Sequence, residues 1–216
     1  MPAGTHWMPA RTEPAVTLLL RHGQTLMSVQ KRYAGRSDVP LTDFGVQQAA
    51  AAAKRLASAG IGLIVTSPLL RTVQTAQEVA ATTGAPMVTD DGFRETDFGA
   101  WEGLTFAEVR ERWPAELTAW LADPEVAPPG GESFADVSAR VTAALDRVLA
   151  GREGQTVLIV SHVTPIKTLV AMALLAPPAA LYRMHLDIAA LSEIDWYADG
   201  PAVLRTFNDT GHLSDQ

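Results

Sequence analysis

The chain contains no cysteine. That single absence excludes disulfides, thiolate zinc sites, iron–sulfur clusters and thiol nucleophiles. Lysine is scarce: Lys31, Lys54 and Lys167 are the only three among 17 basic residues. Against them stand 24 acidic residues, for a formal net charge of −7. The broad basic footprint of a nucleic-acid binder is therefore missing, and no bound nucleic acid is expected. No stretch of about 18 apolar residues occurs, which removes a transmembrane helix and a membrane partner from consideration. The first apolar run, residues 16–20, is too short for a signal-peptide core, so a cytoplasmic setting is expected. There is no HExxH, no GxxxxGK[ST], no GxGxxG after a strand and no GxSxG elbow. No metal and no cofactor are expected. Arginine in place of lysine, beside many alanines, fits a GC-rich genome as well as it fits oxyanion binding.

What is present is enough for a sizeable core. The 216 residues are 47% apolar, which suits one large α/β domain or two small ones. Residues 1–14, with three prolines and mixed charge, read as a disordered leader or linker, and 15–216 as one domain. Residues 16–20, 61–66 and 156–160 are apolar runs suited to strands buried on both faces. Helical patterns follow each: 42–59 with Thr42 as N-cap, 67–83 with Ser67 as N-cap and Pro68 first, and a helix begun by Pro165. Residues 24–41 read as a polar loop. Residues 105–123 read as helix broken at Pro114, and Ser133 caps another helix. Residues 189–197 and 202–207 pair at the end. Alternation of strand and helix implies an α/β sandwich with a mostly parallel sheet.

Two strand ends look alike. Arg21-His22 follows one apolar run and Ser161-His162 another. Ligands of open α/β sheets bind at the carboxyl ends of strands, so the two histidines are placed to converge. A lone histidine there is usually structural; two in equivalent positions are not so readily dismissed. Arg21, Arg32 and Arg71 fall near the same edge, where a single arginine would ordinarily be a solvated charge. Together with helix N-termini they suggest a phosphate pocket. A neutral imidazole can attack phosphorus, and arginines can stabilise the transferred group. The leaving alkoxide then needs an acid. Glu95, Asp97 and Glu102 compete for that role on spacing alone. Trp101, Trp120 and Trp196 are expected to pack rather than to stack on ligand, and His6, His185 and His212 to be structural or at the surface.

These residues resemble a known family. Arg21-His22-Gly23-Gln24-Thr25 is similar to the RHG[EQ]T signature of the histidine phosphatase superfamily, in its phosphoglycerate-mutase-like branch. Arg32-Tyr33-Ala34-Gly35, Pro40-Leu41-Thr42, Ser67-Pro68-Leu69 through Arg71, Gln74-Thr75-Ala76, Phe98-Gly99 with Trp101-Glu102-Gly103, and Ser161-His162 resemble further motifs in order, over about 16–208. The resemblance implies a three-layer αβα sandwich with a mostly parallel mixed sheet. It implies His22 as phosphorylated nucleophile, Glu95 as proton donor, and Arg21, Arg71 and His162 as phosphate ligands. Gln24, Thr25, Ser28, Arg32, Gly35 and Val163 would line the phosphate or substrate site. Two positions depart from the pattern. Ser28 stands where asparagine is frequent, which weakens one phosphate contact. Val163 stands where glycine is frequent, so a different local backbone is expected. The second half is similar to the acid phosphatase domain of bacterial bifunctional ribonuclease H/acid phosphatase proteins, related to α-ribazole phosphatases. The implied activity is a metal-independent phosphomonoesterase acting on a small phosphorylated metabolite. α-Ribazole phosphatase, phosphoglycerate-mutase-type transfer and a non-catalytic phosphate-binding module are the alternatives. A homodimer, and fusion to an upstream ribonuclease H domain in relatives, are further expectations.

Overall fold

The computed structural model describes residues 12–214, so most of the expected leader lies outside the described residues. Six strands form one sheet in the order β3-β2-β4-β1-β5-β6. They are β1 (Ala15–Arg21), β2 (Ile61–Thr66), β3 (Met87–Thr89), β4 (Thr156–Ser161), β5 (Leu191–Trp196) and β6 (Val203–Asp209). β1, β2, β3 and β4 pair in parallel. β5 runs antiparallel to both its neighbours, β1 and β6. The expected mixed, mostly parallel sheet is thus the observed one.

The helices are α1 (Leu26–Val29), α2 (Asp43–Leu56), α3 (Leu70–Thr83), α4 (Phe106–Arg112), α5 (Pro114–Ala122), α6 (Phe134–Leu149) and α7 (Val163–Ala173). Strand alternation sorts the core into two layers. Leu19, Val65, Val157 and Ile159 face α6 and α7, whose Val141, Leu145, Ile166 and Leu169 complete one cluster. Leu20, Ile64, Leu158 and Val160 face the other way, against Ala52, Leu56, Ala76 and Val79 of α2 and α3. A third cluster, of Trp101, Val109, Leu117, Trp120 and Phe134, brings α4 and α5 together with the start of α6. No helix among the described residues is long and apolar enough to cross a membrane.

Local chemistry explains most boundaries. The Thr42 hydroxyl accepts from Gly45 N at 3.0 Å, and Asp43 at the start with Lys54 and Arg55 at the end complement the dipole of α2. Ser133 and Asp136 form a reciprocal capping box on α6. α3 ends on Gly84 with φ 72°, the left-handed conformation that favours glycine. Three expectations need correction. α3 begins at Leu70 rather than at Pro68: the Ser67 hydroxyl bonds the His162 ring, and the Leu70 N–H donates to Asp38 Oδ1 at 2.6 Å. α7 begins at Val163, two residues before Pro165. The stretch 24–41 is not wholly loop, since Thr25 caps the short α1 and bridges to Leu41.

Candidate active site

Parallel register places the two histidines together. Arg21 of β1 pairs with Ser161 of β4, so His22 and His162 leave the sheet side by side. His22 N donates to Ser161 O at 3.1 Å. The ring centroids lie 5.2 Å apart, near edge-to-face. His22 Nδ1 donates to Gly23 O at 2.8 Å, because a carbonyl can only accept. That fixes the tautomer and leaves Nε2 with its lone pair and no protein partner. Burial, and then the neighbouring Arg71 and Arg21 charges, hold the His22 imidazole well below its ordinary pKa. His22 is therefore neutral at physiological pH, the form in which a ring nitrogen is nucleophilic.

The arginines are positioned by carbonyls. Arg71, second in α3 and 1% exposed, donates Nη1 to Ser37 O at 2.7 Å and Nη2 to Ala34 O and Gly35 O at 2.8 and 3.0 Å. Its Nε has no partner. Arg21 Nη1 donates to Leu186 O at 2.6 Å, and its Nε is likewise unmatched. Burial brings Arg21 down to about 10 and lowers Arg71 too; the Glu95 charge opposes both shifts. Both guanidiniums keep their charge at neutral pH. Two cations, Arg71 buried and Arg21 partly buried, each with an unpaired Nε, beside a neutral histidine form a cradle for a small oxyanion.

Glu95 closes the cradle from the α7 side. Its Oε2 accepts from Val163 N at 3.0 Å, and Oε1 from Thr164 N at 3.2 Å and Thr96 N at 2.9 Å. The carboxylate thus occupies the positive end of α7, where unsatisfied N–H groups would otherwise point. The competing acids are engaged elsewhere. Glu102 binds Gly35 N, Arg36 N and Ser37 Oγ. Asp97 pairs with Arg36 at 2.6 Å and accepts from Gly99 N. Among the described residues, no three histidine, aspartate or glutamate side chains gather to hold a metal ion.

Arg21, His22, Thr25, Ser28, Arg32, Arg71, Glu95 and Val163 all line one cavity of about 320 Å³. Of the remaining sequence candidates, His162 is fully buried behind that wall, with Nε2 on Ser67 Oγ at 2.8 Å and Nδ1 unpartnered. Gln24 and Gly35 are not on the wall. Gln24 accepts from Thr42 and donates its backbone N–H to Gln48. Gly35 is buried where a Cβ would meet Thr96 O at 2.0 Å. The Ser28 hydroxyl donates to Thr25 O and accepts from Thr25 N, so it serves the cap of α1. Val163 opens α7 without a positive φ, so valine fits there without strain. Arg32 reaches the wall while donating to Gly103 O and Glu108. Of the other histidines, His185 is exposed beside Asp187, and His212 bonds Ala189 O; His6 lies outside the described residues.

The outer cavity was not legible in the sequence. Tyr33, Phe98, Trp120, Phe134, Leu181, Tyr182 and Lys167 line it. Trp120 therefore packs, as expected, but also faces the cavity. Tyr182 Oη donates to Trp120 O at 2.7 Å, and burial pushes the Tyr33 phenol up to about 12. These residues come from six separate segments, and no local pattern joins them.

The sheet, the paired strand-end histidines and the arginine cradle define a phosphoryl-handling α/β enzyme. Residues 17–210 match the histidine phosphatase superfamily (branch 1), and the chain belongs to that family. It is 51% identical over 213 residues to a bifunctional protein of Mycobacterium tuberculosis, covering 98% of this chain but 58% of that protein's length. It is 37% identical over 205 residues to a protein of Proteus mirabilis named a probable phosphoglycerate mutase, covering 91% and 94% of the two chains. Among solved structures, a mycobacterial glucosyl-3-phosphoglycerate phosphatase with VO3 superposes with a TM-score of 0.83, at 32% identity, over 91% of this chain and all of the other.

Proposed function

We propose that the protein hydrolyses phosphate monoesters through a phosphohistidine at His22, without a metal ion. The observation that carries this reading is the His22 ring: Nδ1 is committed to Gly23 O, and Nε2 is free at the floor of a cavity lined by Arg21 and Arg71. Nε2 donates its lone pair to phosphorus as the P–O ester bond breaks. Arg21 and Arg71 balance charge on the outer phosphoryl oxygens, and His162 packs its ring edge-on against that of His22. Glu95, protonated for this step, gives its proton to the leaving oxygen. Its carboxylate then takes a proton from water as that water attacks the phosphohistidine, releasing phosphate and restoring both groups.

Arg32, Thr25, Ser28 and Val163 form the remaining wall within reach of substrate. Gly35 acts through the loop that holds Arg71, and Gln24 through Thr42 and Gln48 at α2. An acid phosphatase optimum fits a nucleophile that stays neutral in acid. The mutase reading has weaker support here, because the outer cavity is mostly aromatic rather than cationic. In the longer relatives, the length beyond the match is where the ribonuclease H unit expected from the resemblance would lie.

The test is hydrolysis of p-nitrophenyl phosphate from acid to neutral pH in excess EDTA, with acid-labile phosphate trapped on the wild type and on His22→Ala. Turnover and label in the wild type alone are expected. Activity that appears only on adding metal would sink the mechanism. Vanadate binding without label or turnover on any ester would leave a phosphate-binding module.

A further inference from the structure

The cradle accounts for the phosphate and leaves the outer cavity unexplained. Five aromatic side chains, Tyr33, Phe98, Trp120, Phe134 and Tyr182, form its walls. They touch one another in series. Tyr33 stacks tilted on Phe98 at 4.7 Å, Trp120 on Phe134 at 5.0 Å, and Tyr182 meets Trp120 and Phe134 edge-on at 6.3 and 5.7 Å. Such a lined set is rigid before any ligand arrives, because each ring is held by the next. At 320 Å³ the cavity holds more than a phosphate group, and the rest of that space is apolar.

One charge interrupts these walls. Lys167, the fifth residue of α7, is half-buried on the wall. Its ammonium makes a single long hydrogen bond, to Leu181 O at 3.3 Å. An ammonium has three donors, so two remain unused in a mostly apolar enclosure. Desolvating a cation with so little bonded to it is costly: Glu95 acts on the ammonium through its charge, but no salt bridge is formed. The rings alone would take any flat apolar group; the ammonium asks for an acceptor on that group.

We propose that the outer cavity is a leaving-group subsite for an aromatic ring bearing a hydrogen-bond acceptor or negative charge, and that Lys167 reads that acceptor. The substrates so selected are phosphate monoesters of alcohols carrying a substituted aromatic ring. This rests on the phosphohistidine reading above and adds the identity of the leaving group.

The test keeps the primary CH2CH2–O link to phosphorus constant and changes only the distal end of the leaving alcohol. Initial rates of phosphate release are compared for n-butyl, 2-cyclohexylethyl, 2-phenylethyl and 2-(4-carboxyphenyl)ethyl phosphate. The phenyl ester is expected to exceed the butyl ester in kcat/KM by about tenfold or more, the scale on which apolar pockets discriminate. It should also exceed the cyclohexyl ester. The carboxyphenyl ester is expected to gain again over phenyl, mainly in KM, and Lys167→Met should bring that ratio close to one. Equal rates for butyl, cyclohexyl and phenyl esters overturn the aromatic subsite. A carboxylate gain that survives Lys167→Met overturns the role of Lys167. Calorimetric binding of the matching unreactive phosphonates gives the same comparison without turnover. A retained phosphonate preference with no hydrolysis of any ester would leave the subsite standing and bring down the hydrolase reading alone.

Discussion

At the scale of single residues, the site is organised by committed hydrogen bonds that leave chosen atoms free. Gly23 O takes one His22 nitrogen and thereby offers the other. On the proposed mechanism, removing that ring removes the nucleophile. His22→Ala is expected to fall below about one hundredth of wild-type turnover with p-nitrophenyl phosphate, as losses of covalent nucleophiles do. A larger residue of activity would contradict the assignment. The proposed proton donor Glu95 would carry two tasks, since its oxygens also receive the first N–H groups of α7. Glu95→Gln keeps the size but turns an N–H₂ group towards those donors. Two effects are expected together: a modest drop in melting temperature, and a rate loss on alkyl phosphates at least about tenfold greater than on nitrophenyl phosphate, whose leaving group needs no proton. Uniform loss across both esters, measured as kcat, would argue that Glu95 is only a cap.

Elements set the distances between those residues. The two histidines are neighbours because β1 and β4 pair in parallel register, and Arg71 arrives from the opposite layer on the first turn of α3. Its guanidinium is held by three carbonyls of residues 34–37, a loop pinned in turn by Glu102. Gly35 is the tight point of that loop, where a methyl group would overlap Thr96 O and Glu102 Oε1. Gly35→Ala is expected to loosen Arg71 and to lower both thermal stability and kcat/KM, by about tenfold or more for the latter if one phosphate contact is lost. Unchanged kinetics would show that the loop has no hold on the arginine. The strand-end histidines were readable from the sequence because buried runs followed by a polar pair state a strand and its end. The start of α3 was misread because Ser67 looks like a cap and is recruited across the sheet by a histidine 95 positions later. The aromatic walls and Lys167 were missed for the same reason. Tyr33 on a loop, Trp120 on α5 and Tyr182 on a 3-10 turn meet only through tertiary packing, which no short window of sequence contains.

For the whole molecule, the cost of this arrangement appears as a pH dependence. Burial lowers the pKa of both His22 and His162, with the arginines adding to it. Above the ordinary value of 6.5, folded and unfolded chains alike carry neutral rings. Below it, the unfolded chain binds protons that the folded chain refuses, so stability falls, by up to about 1.4 kcal/mol per pH unit for each ring. The decline continues until the depressed folded values are reached. Glu132 and Asp187 are also held low in the fold, so their contribution is lost further into acid. The melting temperature is expected to drop between pH 7.5 and 5, and the double variant His22→Gln, His162→Gln should flatten the drop. An unaltered slope in that variant would assign it to other groups.

The pinning of the nucleophile has one more consequence. His22 is fastened on both sides of its own peptide: its N–H donates to Ser161 O, and its carbonyl accepts from Ala189 N. The backbone at this residue, one position beyond β1, is therefore tied to the end of the central ladder. Its amide hydrogen is expected to exchange with deuterated solvent only when the sheet itself opens, with the slowest amides of β1 and β4, while amides of 30–38 exchange far earlier. Time spent in solvent, rather than catalysis, would then reveal how little of this site is left to be assembled when a phosphate ester arrives.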